Sequence, residues 1–155
     1  MNAQLELAYL AGAMDADGFI SMTKRTLRGC TTYSEFIGLA QVTDTVPMLL
    51  RSLFGGYIQL RKRADTRAAN WRPIYYWAAT TRNAANAIKA LRPYLKVKTE
   101  QADLVLALRR SKELPAKRRR AVRVGVRAVA LNPEVVAERE AFYAKIKRLN
   151  HNGIH

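Results

Sequence analysis

The chain has 155 residues, and 49% of them are hydrophobic, enough to bury a core and too many for a disordered tail. Its 27 Lys and Arg residues outnumber its 12 Asp and Glu residues, which gives a formal net charge of +15. Such an excess repels itself unless a polyanion relieves it. We therefore expect a nucleic acid as partner, with an anionic membrane surface as the alternative.

Cysteine and histidine are too scarce for several kinds of site. Cys30 is the single cysteine, so an internal disulfide is excluded. The two histidines, His151 and His155, cannot supply the ligands of a zinc finger, and they disfavour a nuclease that uses a histidine base. The sequence also lacks the G-x-x-x-x-G-K-[ST] loop of an NTPase.

The chain shows no membrane or export signal. A spanning helix requires roughly 18 uninterrupted apolar residues, and no stretch of the sequence approaches that length. The N-terminus lacks the basic-then-apolar layout of a signal peptide. We predict an intracellular protein with no membrane partner, in an organelle (chloroplast or mitochondrion) or a prokaryotic cytoplasm, and not a secreted one.

Apolar periodicity predicts alternating helices and strands in the first 91 residues. In chain order these are helix 4–16, strand 19–27, strand 33–42, a helix capped at Thr43-Asp44 and closed at Gly55-Gly56, strand 57–63, strand 72–80 and helix 83–91. Turn residues at 28–32 separate the first two strands.

Three further helices are predicted at 99–112, 116–131 and 133–149, the last beginning at Asn132-Pro133. The alternation of Val122, Val124 and Val126 leaves a strand as the alternative for 116–131. The prediction is one α+β domain over residues 1–155. Its αββαββα core lies at 4–113 and a C-terminal helical extension at 114–155.

Residues 10–18, with the sequence LAGAMDADG, are the most informative stretch. Ala8, Gly12 and Ala16 recur every four residues, so they share a helix face on which another helix can approach closely. Asp17 ends this helix, where the helix dipole is negative. A carboxylate there lies in an unfavourable field, worth up to about 1 kcal/mol, unless a cation relieves it.

A two-fold axis through the small face would bring two such aspartates together. Their mutual repulsion strengthens the demand for a divalent metal. The alternative is that Asp15 and Asp17 are ordinary turn residues, because Asp-x-Asp-Gly is common in loops.

The whole string resembles the LAGLIDADG motif of homing endonucleases, which it matches at seven of nine positions, with Ala13 and Met14 as the two departures. Two further blocks resemble the single-motif, homodimeric branch of this family, the type found in chloroplast and other organelle group I introns. They are Gln41-Val42-Thr43, and the run 93–98 followed by 101–106.

The resemblance implies the family's fold, with a saddle-shaped antiparallel four-stranded sheet that enters the DNA major groove. It implies hydrolysis of both strands at a long, pseudo-palindromic site, with Mg²⁺ or Mn²⁺ as cofactor. Only one motif occurs, so two chains have to pair as a homodimer and contribute one aspartate each. The implied partners are double-stranded DNA and a second copy of the chain.

The same resemblance implies the site residues. Asp17 is the implied metal ligand, together with the carbonyl of Ala16. Asp17, Asp44 and Lys98 are the implied catalytic residues, Lys98 stabilising developing charge near the attacking water. The implied dimer interface consists of Ala8, Ala11, Gly12 and Asp15.

Relatives carry a further basic active-site residue at the position of Met48, which cannot replace it. The strand pattern adds candidate DNA readers, because Arg suits guanine and Gln suits adenine in the major groove. The alternative is an ordinary solvated sheet face. The candidates are Ser21, Thr23, Arg25, Gln41, Gln59, Arg61, Arg63, Tyr75 and Trp77.

Two other functions stay open at this point. One is a non-cutting protein of the same fold, either a DNA-binding regulator or an intron maturase that binds RNA. The other is a structural basic protein of the ribosome or nucleoid. The basic cluster 117–120 is expected to contact phosphate, with a charged helix start as its alternative.

Overall fold

Helices and strands alternate in the order that the sequence predicts as far as residue 114. A computed structural model describes residues 2–62, 72–114, 120–124 and 128–152. Within these ranges, no helix has the length and apolar character that crossing a membrane requires. The elements are α1 (Ala3–Asp17), β1 (Gly18–Leu27), β2 (Cys30–Gln41), α2 (Thr45–Phe54), β3 (Tyr57–Arg61), β4 (Ile74–Thr80), α3 (Thr81–Leu91), α4 (Thr99–Glu113), β5 (Arg120–Val124), β6 (Ala128–Leu131) and α5 (Pro133–Asn152).

Strands β1 to β4 form one antiparallel sheet in the order β1-β2-β4-β3. Successive side chains of a strand point to opposite faces, and one face is packed against α1, α3 and α4. The opposite face is called the outer face below. It carries Phe19, Ser21, Thr23 and Arg25 of β1, Thr32, Ser34, Phe36 and Gly38 of β2, Tyr57, Gln59 and Arg61 of β3, and Ile74 and Tyr76 of β4.

The core lies between the sheet and the helices. Leu10, Ala11 and Met14 of α1 are fully buried there. Trp77 is also fully buried, and its indole N–H donates a 2.9 Å hydrogen bond to the carbonyl of Gly55. A buried tryptophan needs such an acceptor for its N–H, so this bond ties β4 to the C-terminus of α2.

The hairpin between β1 and β2 is tighter than the sequence predicts. Arg28 and Gly29 both have positive φ, at 49° and 76°, which suits a two-residue hairpin loop with the twist of its strands. As a result β2 begins at Cys30, and residues 30–32, predicted to be turn material, pair with β1.

The predicted helix at 116–131 is wrong. Residues 120–124 and 128–131 form the antiparallel hairpin β5–β6. The alternating valines decide this, since β-branched side chains favour a strand over a helix. Val126 and the basic residues 117–119 lie outside the described residues. The final helix α5 is confirmed, and its cap is Asn132, whose side-chain oxygen accepts the N–H of Glu134 at 3.0 Å.

Candidate functional site

The C-terminus of α1 presents an exposed carboxylate at Asp17. The helix passes into β1 without a loop, because Gly18 packs against Met14. A Cβ added to Gly18 would lie 2.4 Å from the Met14 side chain. Asp17 therefore lies at a fixed junction between α1 and the first strand of the sheet.

Gln41, at the end of β2, holds this carboxylate. Its side-chain Nε2 donates a 3.0 Å hydrogen bond to Oδ2 of Asp17. The predicted placement of Gln41 on the same face as Gln59 is wrong, while its role as a DNA reader stays a prediction. Gln41 has the strand parity of Leu39 and Tyr75, which is that of the helix-covered face.

Asp15 is bonded within its own chain. Its carboxylate accepts the backbone N–H groups of Lys96, Val97 and Lys98 at 2.7, 3.2 and 3.0 Å. Burial acts to raise the pKa of Asp15, but these donors outweigh it and hold the pKa below its usual value. The carboxylate thus anchors the segment that leads into α4, and a place for Asp15 in the dimer interface stays a prediction.

This anchor brings Lys98 to the end of α1. The Lys98 ammonium donates a hydrogen bond to the Asp15 carbonyl. Burial lowers the pKa of Lys98, while the nearby negative charges of Asp15 and Asp17 oppose that shift. The structure thus brings Asp17, Gln41 and Lys98 together, although 81 residues separate the first from the last.

Asp44, a predicted catalytic residue, makes no side-chain hydrogen bond or ion pair with the described residues of this group. It lies exposed in the bend before α2, where its side chain makes no capping hydrogen bond. Nor does it line the open groove that Asp17 shares with Tyr9, Gln41 and Thr43.

One chain offers only part of a metal site. In the parts of the chain that the structure describes, no three His, Cys, Asp or Glu residues gather in a way that could hold a metal ion. Asp17 offers an exposed carboxylate, and the exposed Ala16 lies beside it with its carbonyl. Oxygen ligands of this kind suit Mg²⁺, which is usually bound by one or two carboxylates together with substrate phosphates.

The solvent-facing side of α1 is unusually apolar. Ala8, Gly12 and Ala16 are exposed, as are Leu5 at 65% and Tyr9 at 58%. A Cβ added to Gly12 would meet nothing within 4 Å. The prediction that Ala11 lies in the dimer interface is wrong, because Ala11 is fully buried in the core of its own chain.

The outer face carries most of the predicted DNA readers. Ser21, Thr23, Arg25, Gln59 and Arg61 share it. Arg63 lies outside the described residues.

Two other predicted readers in β4 are on the wrong face. Trp77 is fully buried, and Tyr75 has the same strand parity. The sequence IYYWAAT has no polar alternation to fix the phase of this strand. Tyr76 is the residue on the outer face.

An aromatic strip that was not predicted from the sequence lies at the centre of the outer face. Phe19 stacks on Phe36 and Tyr76, with ring centroids 5.3 and 6.2 Å apart. Phe19 lies over Gly38, where an added Cβ would come within 2.7 Å of its ring. The guanidinium of Arg61 lies 3.5 Å from the Tyr76 ring centroid. The feature that indicates the strip is the strand register, which pairs Phe19 of β1 with Gly38 of β2.

Residues of α5 that were not predicted as site residues also lie near the site. A groove beside Ala16 and Lys98 runs along the edge strand β1 and is completed by Lys147 and Asn150. Asn150 fixes α5 to that edge by donating a 3.0 Å hydrogen bond to the Ile20 carbonyl. The groove thus joins the end of α1 to the outer face.

Comparison with known proteins gives matches only among solved structures, since no family model and no curated protein matches the chain. The homing endonuclease I-CvuI, in a complex with the I-CreI target whose DNA is not cleaved, superposes with a TM-score of 0.67 at 24% identity, over 94% of this chain and 82% of that one. The archaeal intron-encoded homing endonuclease I-Vdi141I, complexed with DNA, gives a TM-score of 0.67 at 12% identity, over 94% and 84% of the two chains.

A third structure extends the comparison. The LAGLIDADG homing endonuclease I-GzeII, in complex with its DNA target, gives a TM-score of 0.62 at 10% identity and covers 96% of this chain and 49% of that one. The structural neighbours are thus LAGLIDADG homing endonucleases. The chain has their α+β fold, and the predicted fold class is confirmed.

Proposed function

We propose that two copies of this chain form a site-specific, divalent-metal-dependent endonuclease that cuts both strands of DNA. One observation carries the proposal. Asp17 is an exposed carboxylate at the end of a helix whose free face is small and apolar, and it is flanked by Gln41 and Lys98. The solved structures of the same fold support it, since those compared above are homing endonucleases bound to DNA.

Pairing through α1 completes the site. The exposed face of Ala8, Gly12 and Ala16 lets a second α1 approach closely, and Leu5 and Tyr9 gain apolar burial on contact. Asp17 lies at the end of that same helix, so Asp17 of the second copy comes close to it. The two carboxylates repel each other unless cations lie between them.

The residues at the end of α1 fit a divalent cation, Mg²⁺ or Mn²⁺. Asp17 and the Ala16 carbonyl of each copy would hold it, together with oxygens of the DNA phosphate. When bound there, such an ion would supply Lewis-acid chemistry, offsetting charge on the scissile phosphate and making water a better nucleophile.

The other residues of the site act on position and charge. Gln41 fixes the orientation of the Asp17 carboxylate through its 3.0 Å hydrogen bond. Lys98 supplies a positive charge near both aspartates, which stabilises negative charge as it develops on the phosphate. Asp15 holds the backbone of Lys98 in this position. Asp44 makes no side-chain hydrogen bond or ion pair with the described residues of this group, so its catalytic role stays a prediction from the family resemblance alone.

Sequence recognition is assigned to the outer face. Arg25, Gln59 and Arg61 offer donor patterns that match base edges in the major groove. Arg61 is oriented in advance by Tyr76 and by a 3.4 Å hydrogen bond to Gln59. Association of two identical chains makes the expected DNA site nearly palindromic.

The test is cleavage of a DNA duplex that the protein itself selects. Selection from a pool of random duplexes gives the bound sequence, and cleavage of that sequence is then measured with Mg²⁺, Mn²⁺ or EDTA. We expect double-strand cutting that requires metal and is abolished in Asp17→Asn. Asp103→Asn is the matched control, because this exposed carboxylate on α4 is paired with Arg92 instead.

Each outcome of this test has a clear reading. Sequence-specific binding without cutting by the wild type would replace the endonuclease with a non-cutting regulator. Tighter binding to intron RNA than to any duplex would point to a maturase. Equal cutting by the wild type and Asp17→Asn would remove Asp17 from the active site.

A further inference from the structure

A second basic groove lies between α3 and α4, on the side of the sheet away from the outer face. Its walls include Arg82, Asn86 and Lys89 of α3, and Arg109, Arg110 and Glu113 of α4. Both helices pack on the covered face of the sheet. A duplex that lies against the outer face therefore does not reach these side chains.

The positive charge of this groove is only partly compensated. Glu113 and Glu35 lie 3.1 and 3.6 Å from Arg109 and neutralise it. Arg82, Lys89 and Arg110 are exposed, and in the described part of the chain none of them forms a salt bridge. In a chain with a net charge of +15, Arg82 and Lys89 add to self-repulsion unless an anion binds there, while the charge of Arg110 is offset in part by nearby Asp103.

Two of these cations, Arg82 and Lys89, lie along the same face of α3. Arg82, Asn86 and Lys89 are spaced by four and three residues, so they follow one stripe of α3. Arg82 and Lys89 are about 10 Å apart along the helix axis, from a rise of about 1.5 Å per residue. One strand of a duplex carries a phosphate about every 3.4 Å along its axis. A stripe of this length suits a polymer of phosphates better than a single small anion.

The chemistry of the lining favours backbone contact. No aromatic side chain is among the described residues of this groove. Proteins that bind unstacked single strands generally use aromatic side chains as stacking platforms for the bases. A structured nucleic acid, whose bases stay stacked and whose phosphates face outward, is therefore the better match.

We propose that the α3–α4 groove binds the phosphodiester backbone of a second, structured nucleic acid segment, independently of the outer face and without reading its sequence. Arg82, Lys89 and Arg110 contact the phosphates, and Asn86 adds a neutral hydrogen-bond donor between the first two. The proposal does not rest on DNA cleavage, so it can fail or hold whatever the outcome at Asp17.

The test compares two double variants with equal loss of charge. Arg82→Gln/Lys89→Gln alters the groove. Arg51→Gln/Lys145→Gln removes two cations elsewhere, at an exposed position of α2 and in the surface pair of Lys145 with Glu100. Binding of an RNA hairpin and of an arbitrary-sequence DNA duplex is measured over a range of salt concentrations. The RNA arm reports chiefly on the groove, since the deep, narrow major groove of A-form RNA excludes side-chain readers.

The groove variant is expected to lower the slope of log affinity against log salt by about 2, because each phosphate contact contributes about 0.9 to that slope on duplex DNA. The control variant is expected to keep the wild-type slope. A reduced slope with RNA alone assigns the groove to RNA, and a reduced slope with both probes assigns it to either duplex. An unchanged slope in the groove variant, or an equal decrease in both variants, would overturn the proposal.

Discussion

The side-chain amide of Gln41 donates a 3.0 Å hydrogen bond to Oδ2 of Asp17 and thereby links the end of β2 to the end of α1. The bond joins the sheet that carries the outer face to the helix that carries the proposed metal ligand. We therefore regard Gln41 as a positioning residue. Its strand parity places it on the helix-covered face, opposite the predicted readers of the outer face.

Gln41→Ala is expected to slow cleavage by about 10- to 100-fold, the cost of a misplacement of about 1 Å at a reacting centre. Binding of the selected duplex should stay near the wild-type value, because Gln41 does not lie on the outer face. Single-turnover cleavage and binding are measured on the same DNA. Gln59→Ala is the contrasting variant and should weaken or relax recognition with a smaller effect on the cleavage rate at saturation. The reverse pattern would make Gln41 a reader after all.

Gly12→Leu is expected to abolish dimerisation and leave the subunit folded. An added side chain at Gly12 meets nothing within its own chain, and loss of a mid-helix glycine favours the helix by roughly 1 kcal/mol. The same side chain would obstruct a second α1. Light scattering gives the molar mass and thermal unfolding gives Tm. A Gly12→Leu dimer that still cuts DNA would contradict pairing through this face.

Asp15→Ala is expected to lower the free energy of unfolding by about 3 kcal/mol, since hydrogen bonds to a charged acceptor contribute about 1.5–3 kcal/mol each and are not additive. Asp15→Asn retains one acceptor oxygen and should lose less. Urea unfolding measures both variants. If Asp15 instead acted only between subunits, the loss would disappear at protein concentrations low enough to dissociate the dimer.

Glu35, Lys112 and Arg109 form a cluster of charges on the helix-covered side of the sheet, and substitution of Glu35 tests its contribution to stability. It is fully buried, and its Oε2 lies 2.7 Å from Nζ of Lys112. Glu35→Gln should lower the free energy of unfolding by about 3 kcal/mol, because it removes the buried carboxylate that pairs with both Lys112 and Arg109. The double variant Glu35→Gln/Lys112→Met removes both charges and should be more stable than Glu35→Gln. Equal stability of the two variants would show that the pair is uncoupled.

The raised pKa of Tyr33 leads us to expect a lower free energy of unfolding at high pH. Burial, reinforced by the hydrogen bond to Glu140, raises the pKa of Tyr33 from its ordinary value of 10.0 to about 12. The neutral phenol is thus favoured in the folded chain. The resulting stability is fully present below pH 10.0 and is lost as the pH rises through about 12. Tm measured across this range should fall more steeply for the wild type than for Tyr33→Phe.

Much of the fold could be predicted from local patterns. In β1, apolar and polar residues alternate strictly. This pattern predicts Ile20 and Met22 in the core and Ser21 and Thr23 on the outer face, because successive side chains of a strand point to opposite faces of the sheet. β4 offered no such contrast, since IYYWAAT is apolar on both faces. Trp77 is buried with its indole N–H donating to the Gly55 carbonyl, which lies 22 residues earlier in the chain.

The sequence by itself determined that this chain is basic, that α1 ends in an aspartate, and that its small residues share one face. These are properties of composition and helical periodicity, which need no neighbours. Only the tertiary structure decided that Asp15 anchors Lys98, that Gln41 holds Asp17, and that Ala11 faces inward. Each of those depends on which elements pack together. Packing is set by contacts between segments far apart in the chain, and no local pattern carries that information.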